Sequence, residues 1–113
     1  MAHYSLKLGE GYDFKPDRAF VARLPKTDLH VHLDGSLRLK TILELADKYG
    51  VALPSDTEDG LAEAIHMGKP CDDLNDYLTA FNVTLAVMQD EAALYRTAYE
   101  LAEDAAKENV RLM

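Results

Sequence analysis

Two histidines and an aspartate alternate along a short stretch of this 113-residue chain, at His30, His32 and Asp34. In an extended strand, residues two apart project from the same face about 7 Å apart along the backbone, so both imidazoles can converge on one ion. Neutral imidazole suits zinc, and zinc with an open coordination position lowers the pKa of its bound water to about 7. The spacing therefore predicts a metal site for hydrolysis, with a hydrogen-bonded histidine pair as the alternative.

The alternation also predicts the element that positions these side chains. From residue 27 to residue 34 the polar residues occupy one face, while Leu29, Val31 and Leu33 occupy the other. This period of two is typical of a β-strand. We therefore expect a strand whose polar face carries the histidines and Asp34.

Helical spacing of apolar residues dominates the rest of the chain. Gly35 and Ser36 break the strand pattern, and four helical stretches are predicted after it. They run from Leu39 to a stop at Gly50, from a capping box at Ser55 and Glu58 to about His66, from about Asp73 through Phe81, and from Asp90 to about Glu108. Asn109 is expected to end the last helix in a left-handed conformation, and residues 110–113 to begin a second strand.

The order strand, helices, strand predicts an α/β fold with a parallel sheet. Roughly 75 residues separate the two strands, whereas a plain crossover needs about 30, so a helical insertion is expected after the first strand. In a (β/α)8 barrel such an insertion would cover the active-site face. Residues 1–23 lack a convincing period and are expected to form a leading arm that docks through apolar side chains, namely Tyr4, Leu8, Tyr12, Phe14 and Phe20.

Composition excludes several classes of partner. The 20 acidic and 12 basic residues give a formal charge of -8, which argues against binding to nucleic acid or to an anionic membrane surface. No stretch approaches the roughly 20 apolar residues of a membrane span, and the N-terminus lacks the apolar core of a signal peptide.

Cys71 is the only cysteine, so an internal disulfide is impossible and a cytoplasmic location is expected. Glu103, Asp104 and Glu108 are interpreted as a solvated helix face.

The sequence LPKTDLHVHLDGSL, residues 24–37, resembles the signature near the N-terminus of the adenosine deaminase family. The match includes the Pro-Lys lead-in, both histidines, the Asp-Gly pair and the start of the following helix. The resemblance implies a zinc-dependent purine deaminase built on a (β/α)8 TIM barrel, with residues 1–113 as the N-terminal part of its single domain. By this resemblance His30 and His32 would be two of the zinc ligands, and Asp34 would contact the ribose of the substrate.

A second segment, LNDYLTAF at residues 74–81, resembles the short helix that covers the pocket in this family. The resemblance implies that its apolar side chains contact the substrate, namely Leu74, Tyr77, Leu78 and Phe81. The alternative is an apolar stripe packed into an ordinary core.

A barrel needs about 250 residues, and two strands of eight are predicted here. The family resemblance implies a third histidine ligand, an aspartate ligand, a glutamate that handles the proton at the purine ring and a histidine beside the attacking water, all expected beyond Met113. The chain is thus interpreted either as a fragment of a longer enzyme or as a chain that lost its catalytic half. The remainder of the barrel, or another chain, is expected to cover it.

The substrate expected from the resemblance is a small purine nucleoside, adenosine or 2′-deoxyadenosine, deaminated by zinc-activated hydroxide. One alternative is a related deaminase that acts on adenine or on another modified purine nucleoside. A second alternative is a non-catalytic α/β interaction module that retains the motif. Zinc content and release of ammonia from adenosine would separate the three.

Overall fold

The computed structural model describes residues 15–66, 70 and 73–113. Cys71 and four of the expected docking residues of the leading arm (Tyr4, Leu8, Tyr12 and Phe14) lie outside the described residues. The elements of the described part follow one another as α1 (Arg18–Arg23), β1 (Lys26–Thr27), α2 (Leu39–Tyr49), α3 (Glu58–Ala64), α4 (Leu74–Val87), α5 (Glu91–Lys107) and β2 (Val110–Leu112).

The two strands form a parallel pair. Lys26 is in register with Val110, and Thr27 is in register with Leu112, with an irregularity between the two positions. The Lys26 amide donates to the Asn109 carbonyl at 2.9 Å, next to the paired residues. A parallel pair needs a long crossover, and α2 to α5 supply it here. The order of the elements and the parallel pairing confirm the α/β prediction.

The first strand is much shorter than its polarity pattern suggests. The prediction of a strand over residues 27–34 is wrong in extent, because paired strand structure covers Lys26–Thr27 and one further bond joins the Asp28 amide to the Leu112 carbonyl at 2.9 Å. A strand is defined by the hydrogen bonds of its neighbours and not by its polarity pattern. In the described residues the bonds to this segment come from β2 (Val110–Leu112), and the last of them is that of the Asp28 amide.

Three predicted helix boundaries are confirmed. Helix α2 ends at Tyr49, and Gly50 adopts the left-handed φ of 67° that a glycine C-cap favours. Helix α5 begins after Asp90, whose carboxylate accepts a hydrogen bond from the Ala93 amide at 2.7 Å. Asn109, at φ 63°, ends the last helix in the predicted left-handed conformation.

The capping prediction for α3 is wrong. Thr57 caps this helix, with its hydroxyl accepting from the Gly60 amide at 3.2 Å, and Ser55 Oγ accepts from the Thr57 amide instead. The side chain of an N-cap residue accepts a hydrogen bond from an amide two or three residues later in the chain. Thr57 lies three residues before Gly60, whereas Ser55 lies five residues before it. The helix also ends at Ala64, two residues earlier than predicted.

A core of apolar side chains joins α2 to the helices after it. Its buried members are Leu37, Ile42, Leu45, Ala46, Leu61, Val87, Met88 and Ala93. Leu37 belongs to the segment that carries the histidines, so burial of this side chain anchors the end of that segment. In the part of the chain that the structure describes, no helix combines the length and the apolar character needed to cross a membrane.

Candidate active site

The histidines lie in a loop between β1 and α2, residues 28–38, which we call the histidine loop. The His30 amide donates to Asp28 Oδ1 at 3.2 Å, so the loop begins in a conformation fixed by its own side chain. Ser36 Oγ donates to the His32 carbonyl at 2.5 Å and closes the turn that follows. These local bonds fix the start of the loop and the turn that follows His32.

The two imidazoles approach each other through their Nε2 atoms. These atoms are 2.9 Å apart, the ring centroids are 4.9 Å apart and the ring planes are 20° apart. Two nitrogens bound to one tetrahedral zinc at 2.0 to 2.1 Å are about 3.3 to 3.4 Å apart, so a small rotation of either ring would let both His30 and His32 bind one ion. The observed distance also suits a single N–H···N hydrogen bond, the alternative stated above. Within the described residues no group of three or more His, Cys, Asp or Glu side chains is arranged to hold a metal.

Asp34 lies on the other side of His32. Its Oδ1 is 3.7 Å from His32 Nδ1, so one nitrogen of the imidazole faces His30 and the other faces a carboxylate. In metal sites, a carboxylate at the far nitrogen orients the imidazole and raises its basicity. The arrangement therefore offers Asp34 a role in orienting His32, beside the substrate contact expected from the family resemblance.

A cavity of about 390 Å³ opens next to these side chains. Its volume falls in the range of small-molecule sites. The residues that line it are His32, Asp34, Tyr77, Leu78, Phe81, Asn82 and Leu85. The histidine loop and α4 thus share one cavity, and its walls combine a carboxylate and an imidazole with apolar side chains.

The structure does not bring every expected contact to this cavity. Leu74 is 69% exposed at the start of α4 and is not among the lining residues. Asn82 and Leu85 line the cavity and were missed by the sequence analysis. Leu85 lies four residues after Phe81, so extending the apolar stripe by one helical turn would have found it. Asn82 carries no such signal.

The ring of Phe81 joins α4 to the histidine loop. Its centroid is 6.4 Å from that of His32, with the ring planes 62° apart. Tyr77 meets Phe81 from the preceding turn of α4, at 5.4 Å and 72°. Both geometries are the edge-to-face kind that aromatic pairs prefer. The apolar stripe of α4 therefore contacts His32 directly.

An ion-pair network holds the end of the histidine loop against α5. Arg38, at the N-cap of α2, binds Asp104 through two bonds, Nε to Oδ2 at 2.8 Å and Nη2 to Oδ1 at 2.6 Å, and reaches Glu103 Oε2 at 3.0 Å. The side chains of Glu103 and Asp104 remain 42% and 41% exposed, as the prediction of a solvated helix face requires, but that prediction did not include their pairing with Arg38. A cation at a helix N-terminus is unfavourable unless carboxylates offset its charge. The place of Arg38 at the start of a predicted helix was therefore a signal in the sequence that its side chain would be paired.

The pKa values in this network follow from the hydrogen bonds. The Arg38 guanidinium lowers the pKa of Asp104 from 3.8 to about 2, although partial desolvation acts in the opposite direction. The bonds that Arg38 donates to Asp104 and Glu103 in turn raise the pKa of Arg38. For Glu100, burial raises the pKa, but the bonds from Thr41 and Arg96 outweigh it, so the net shift is downward. These carboxylates are therefore charged in the folded protein at neutral pH.

A second arginine extends the same contact between α2 and α5. Arg96 donates to Glu44 Oε2 at 2.6 Å and to Glu100 Oε1 at 2.9 Å, and the buried Thr41 hydroxyl donates to Glu100 Oε2 at 2.5 Å. Together the two arginines fix α2, and with it the end of the histidine loop, on the helix that leads into β2.

The family model and the relatives that match this chain carry the same description. Residues 25–113 match the family model described as adenosine deaminase. A protein named adenosine deaminase from Shewanella halifaxensis is 48% identical over 91 residues, which cover 80% of this chain and 28% of that protein. One of the same name from Vibrio atlanticus is 47% identical over 90 residues, covering 80% and 27%. Another, from Clostridium perfringens, is 49% identical over 88 residues, covering 78% and 26%. The chain therefore spans about a quarter of the length of the curated relatives it matches.

Proposed function

The chain belongs to the adenosine deaminase family, and from that premise we propose that it supplies part of the active site of an enzyme that deaminates adenosine or 2′-deoxyadenosine. In this hydrolysis, water replaces the exocyclic amine of the purine, and the products are inosine or 2′-deoxyinosine and ammonia. The observation that carries the proposal is the pair of Nε2 atoms of His30 and His32, 2.9 Å apart beside a cavity of about 390 Å³.

In the proposed enzyme, His30 and His32 hold a zinc ion. Two imidazole nitrogens on one side of an ion leave coordination positions for further ligands and for water, as catalytic zinc sites require. When bound, zinc supplies a Lewis acid that activates water for hydrolysis. The further ligands and the general acid and base lie outside these 113 residues in the proposal, in keeping with relatives that are nearly four times as long as the matched segment.

The walls of the cavity support a nucleoside as the substrate. Tyr77, Leu78 and Phe81 offer an apolar surface for a purine ring, and the carboxylate of Asp34 offers an acceptor for a ribose 5′-hydroxyl. A 5′-phosphate would bring negative charge against that carboxylate. We therefore expect adenosine and 2′-deoxyadenosine to be preferred over AMP and over adenine.

The proposed architecture is the first part of a (β/α)8 barrel. The parallel pairing of β1 with β2, and the placement of α2 to α5 between them, fit a barrel whose first crossover carries an insertion over the C-terminal ends of the strands. The rest of the barrel, or another chain, would cover the surfaces that α4 and α5 leave exposed. A chain with one cysteine needs no oxidising compartment, so the proposed location is the cytoplasm.

Release of ammonia by the full-length protein tests the proposal. The substrates to compare are adenosine, 2′-deoxyadenosine, adenine and AMP, each at the same range of concentrations. We expect kcat/KM to be highest for the two nucleosides. A preference for adenine would replace the proposal by a related purine deaminase. If the purified protein contains no zinc and releases no ammonia from any of the four substrates, the result would indicate a non-catalytic module.

A further inference from the structure

Gly35 of the histidine loop lies directly beside Phe81 of α4. A Cβ atom built on this glycine would lie 3.3 Å from Phe81 Cε1, 3.5 Å from Phe81 Cζ and 3.7 Å from His32 Cβ. The shortest of these distances is tighter than an ordinary carbon–carbon contact, so a side chain at this position would displace the ring by a few tenths of an ångström. The Phe81 ring is thus seated on the backbone of the loop.

Space, and not backbone conformation, is the reason for a glycine at position 35. In the described part of the chain the glycine with a left-handed φ is Gly50, at 67°. The backbone of Gly35 lies outside that region, so other residues could adopt it without strain. An alanine at position 35 would therefore be resisted mainly by the ring of Phe81.

The displaced ring would act directly on the candidate site. Phe81 packs edge-on against His32 and lines the cavity, and the Nε2 atom of His32 lies in turn 2.9 Å from that of His30. Tyr77 supports Phe81 from the other side, which makes a continuous row of four rings from α4 to the histidine pair. A shift of Phe81 thus changes both the wall of the cavity and the packing of an imidazole.

We propose that Gly35 is a positioning residue for this site. The absence of its side chain lets Phe81 seat on the histidine loop, which holds the His32 imidazole in place and sets the depth of the cavity for the purine nucleoside. The inference rests on the proposed function for the identity of the ligand, whereas the contact between positions 35 and 81 does not depend on it.

The test is a double-mutant cycle in the full-length protein with Gly35→Ala, Phe81→Leu and the combined variant. Leucine lacks the Cε and Cζ atoms that approach Gly35, so it leaves room for the added methyl group. We expect Gly35→Ala to raise the Kd of inosine about tenfold, in the range expected for overpacking. The combined variant should bind inosine about as well as Phe81→Leu alone, because the clash is gone.

A second readout follows the imidazole without any ligand. In the metal-free protein the ring-proton resonances of His32 should move in Gly35→Ala, because the ring current of Phe81 changes. When Phe81→Leu is already present, Gly35→Ala should move the His32 resonances little. Val83→Ala is the matched control on α4, since Val83 packs against the core and is not among the residues that line the cavity. It should lower the Tm and leave the Kd of inosine and the His32 resonances unchanged.

The outcomes separate this inference from the proposed function. Unchanged inosine binding and unchanged His32 resonances in Gly35→Ala would overturn the inference. It would also be overturned if Gly35→Ala raised the Kd of inosine by the same factor in the Phe81→Leu background as in the wild type. A wild-type protein that neither binds inosine nor releases ammonia from adenosine, but whose His32 resonances follow the expected pattern, would overturn the proposed function and support the role of Gly35 in seating Phe81 on His32.

Discussion

Asp34 faces an imidazole on one side and a cavity on the other. Its carboxylate is 3.7 Å from His32 Nδ1, and the same residue lines the cavity shared with α4. A carboxylate in this place could orient His32, accept a hydrogen bond from a ribose hydroxyl, or do both. Substrates with and without a ribose distinguish these roles, because only the second depends on the sugar.

Replacing Asp34 by Asn in the full-length protein keeps the shape of the side chain and removes its charge. If Asp34 accepts a bond from the ribose, we expect kcat/KM for adenosine to fall by an amount equivalent to about 1.5 to 3 kcal/mol, and kcat/KM for adenine to fall much less. Steady-state release of ammonia from both substrates measures this. Asp47→Asn, which removes an exposed carboxylate of α2, is the control. Equal losses for the two substrates would assign Asp34 to the orientation of His32 or to the turn.

At the scale of the elements, α2 is fixed to α5 by charge as well as by apolar packing. Arg38 begins α2 at the end of the histidine loop, and its partner Asp104 lies in the last turns of α5. Because the pKa of Asp104 is lowered from 3.8 to about 2 in the folded protein, its contribution to stability is complete above about pH 4 and is lost as the pH falls towards 2.

Thermal unfolding of the full-length protein as a function of pH tests this pairing. We expect Asp104→Asn to lower the Tm near neutral pH by a few degrees at most, as for a partly exposed ion pair. The gap in Tm between wild type and variant should close between about pH 4 and pH 2. Glu108→Gln removes an exposed carboxylate at the end of the same helix and should give no such closing gap. A gap that is constant across this pH range would show that the Arg38–Asp104 pair contributes nothing through its charge.

The sequence predicted the elements whose signals are local, and missed the features that need a distant partner. Gly50 and Asp90 mark a helix end and a helix start by their own conformation or hydrogen bonding, and both were identified correctly. The length of β1 depends on β2, more than 80 residues later, and the alternation of polarity could not reveal that. The pairing of Arg38 with Asp104 spans 66 residues and was likewise missed.

The same distinction between local signals and distant partners holds for the candidate site. The spacing of His30 and His32 predicted that the two imidazoles would be neighbours, because this depends on three consecutive residues. The helical period placed Tyr77 and Phe81 on one stripe, but nothing in that period indicates which side chain reaches the loop. The contact of Phe81 with His32 and Gly35 is a property of tertiary packing.

At the scale of the whole molecule, large apolar side chains remain exposed. Leu29 is 88% exposed and Tyr95 is 71% exposed. Tyr95 stacks on Tyr99 along the outer face of α5. The two-stranded sheet also offers edge positions that further strands could pair with. Apolar surfaces and open edges of this kind are normally covered by further protein.

For this reason the isolated 113-residue chain is expected to be poorly stable. We expect it to associate at micromolar concentrations, to bind a hydrophobic dye and to unfold without a sharp transition, because the exposed side chains and the sheet edges promote association. Sedimentation velocity and thermal circular dichroism measure these properties. The isolated chain is also expected to bind zinc poorly, because two ligands leave the ion largely hydrated. A monomer with a cooperative transition in dilute buffer would contradict this expectation.

The zinc content of the full-length protein tests the central claim most directly. Wild type, His30→Ala, His32→Ala and the control His66→Ala, whose residue lies just past α3, would be purified without added metal, assayed for zinc by mass spectrometry and assayed for release of ammonia from adenosine. We expect about one zinc per chain in wild type and in His66→Ala, and loss of both metal and turnover in each of the other two variants. Stoichiometric zinc with full activity in His32→Ala would contradict the assignment of this pair as metal ligands.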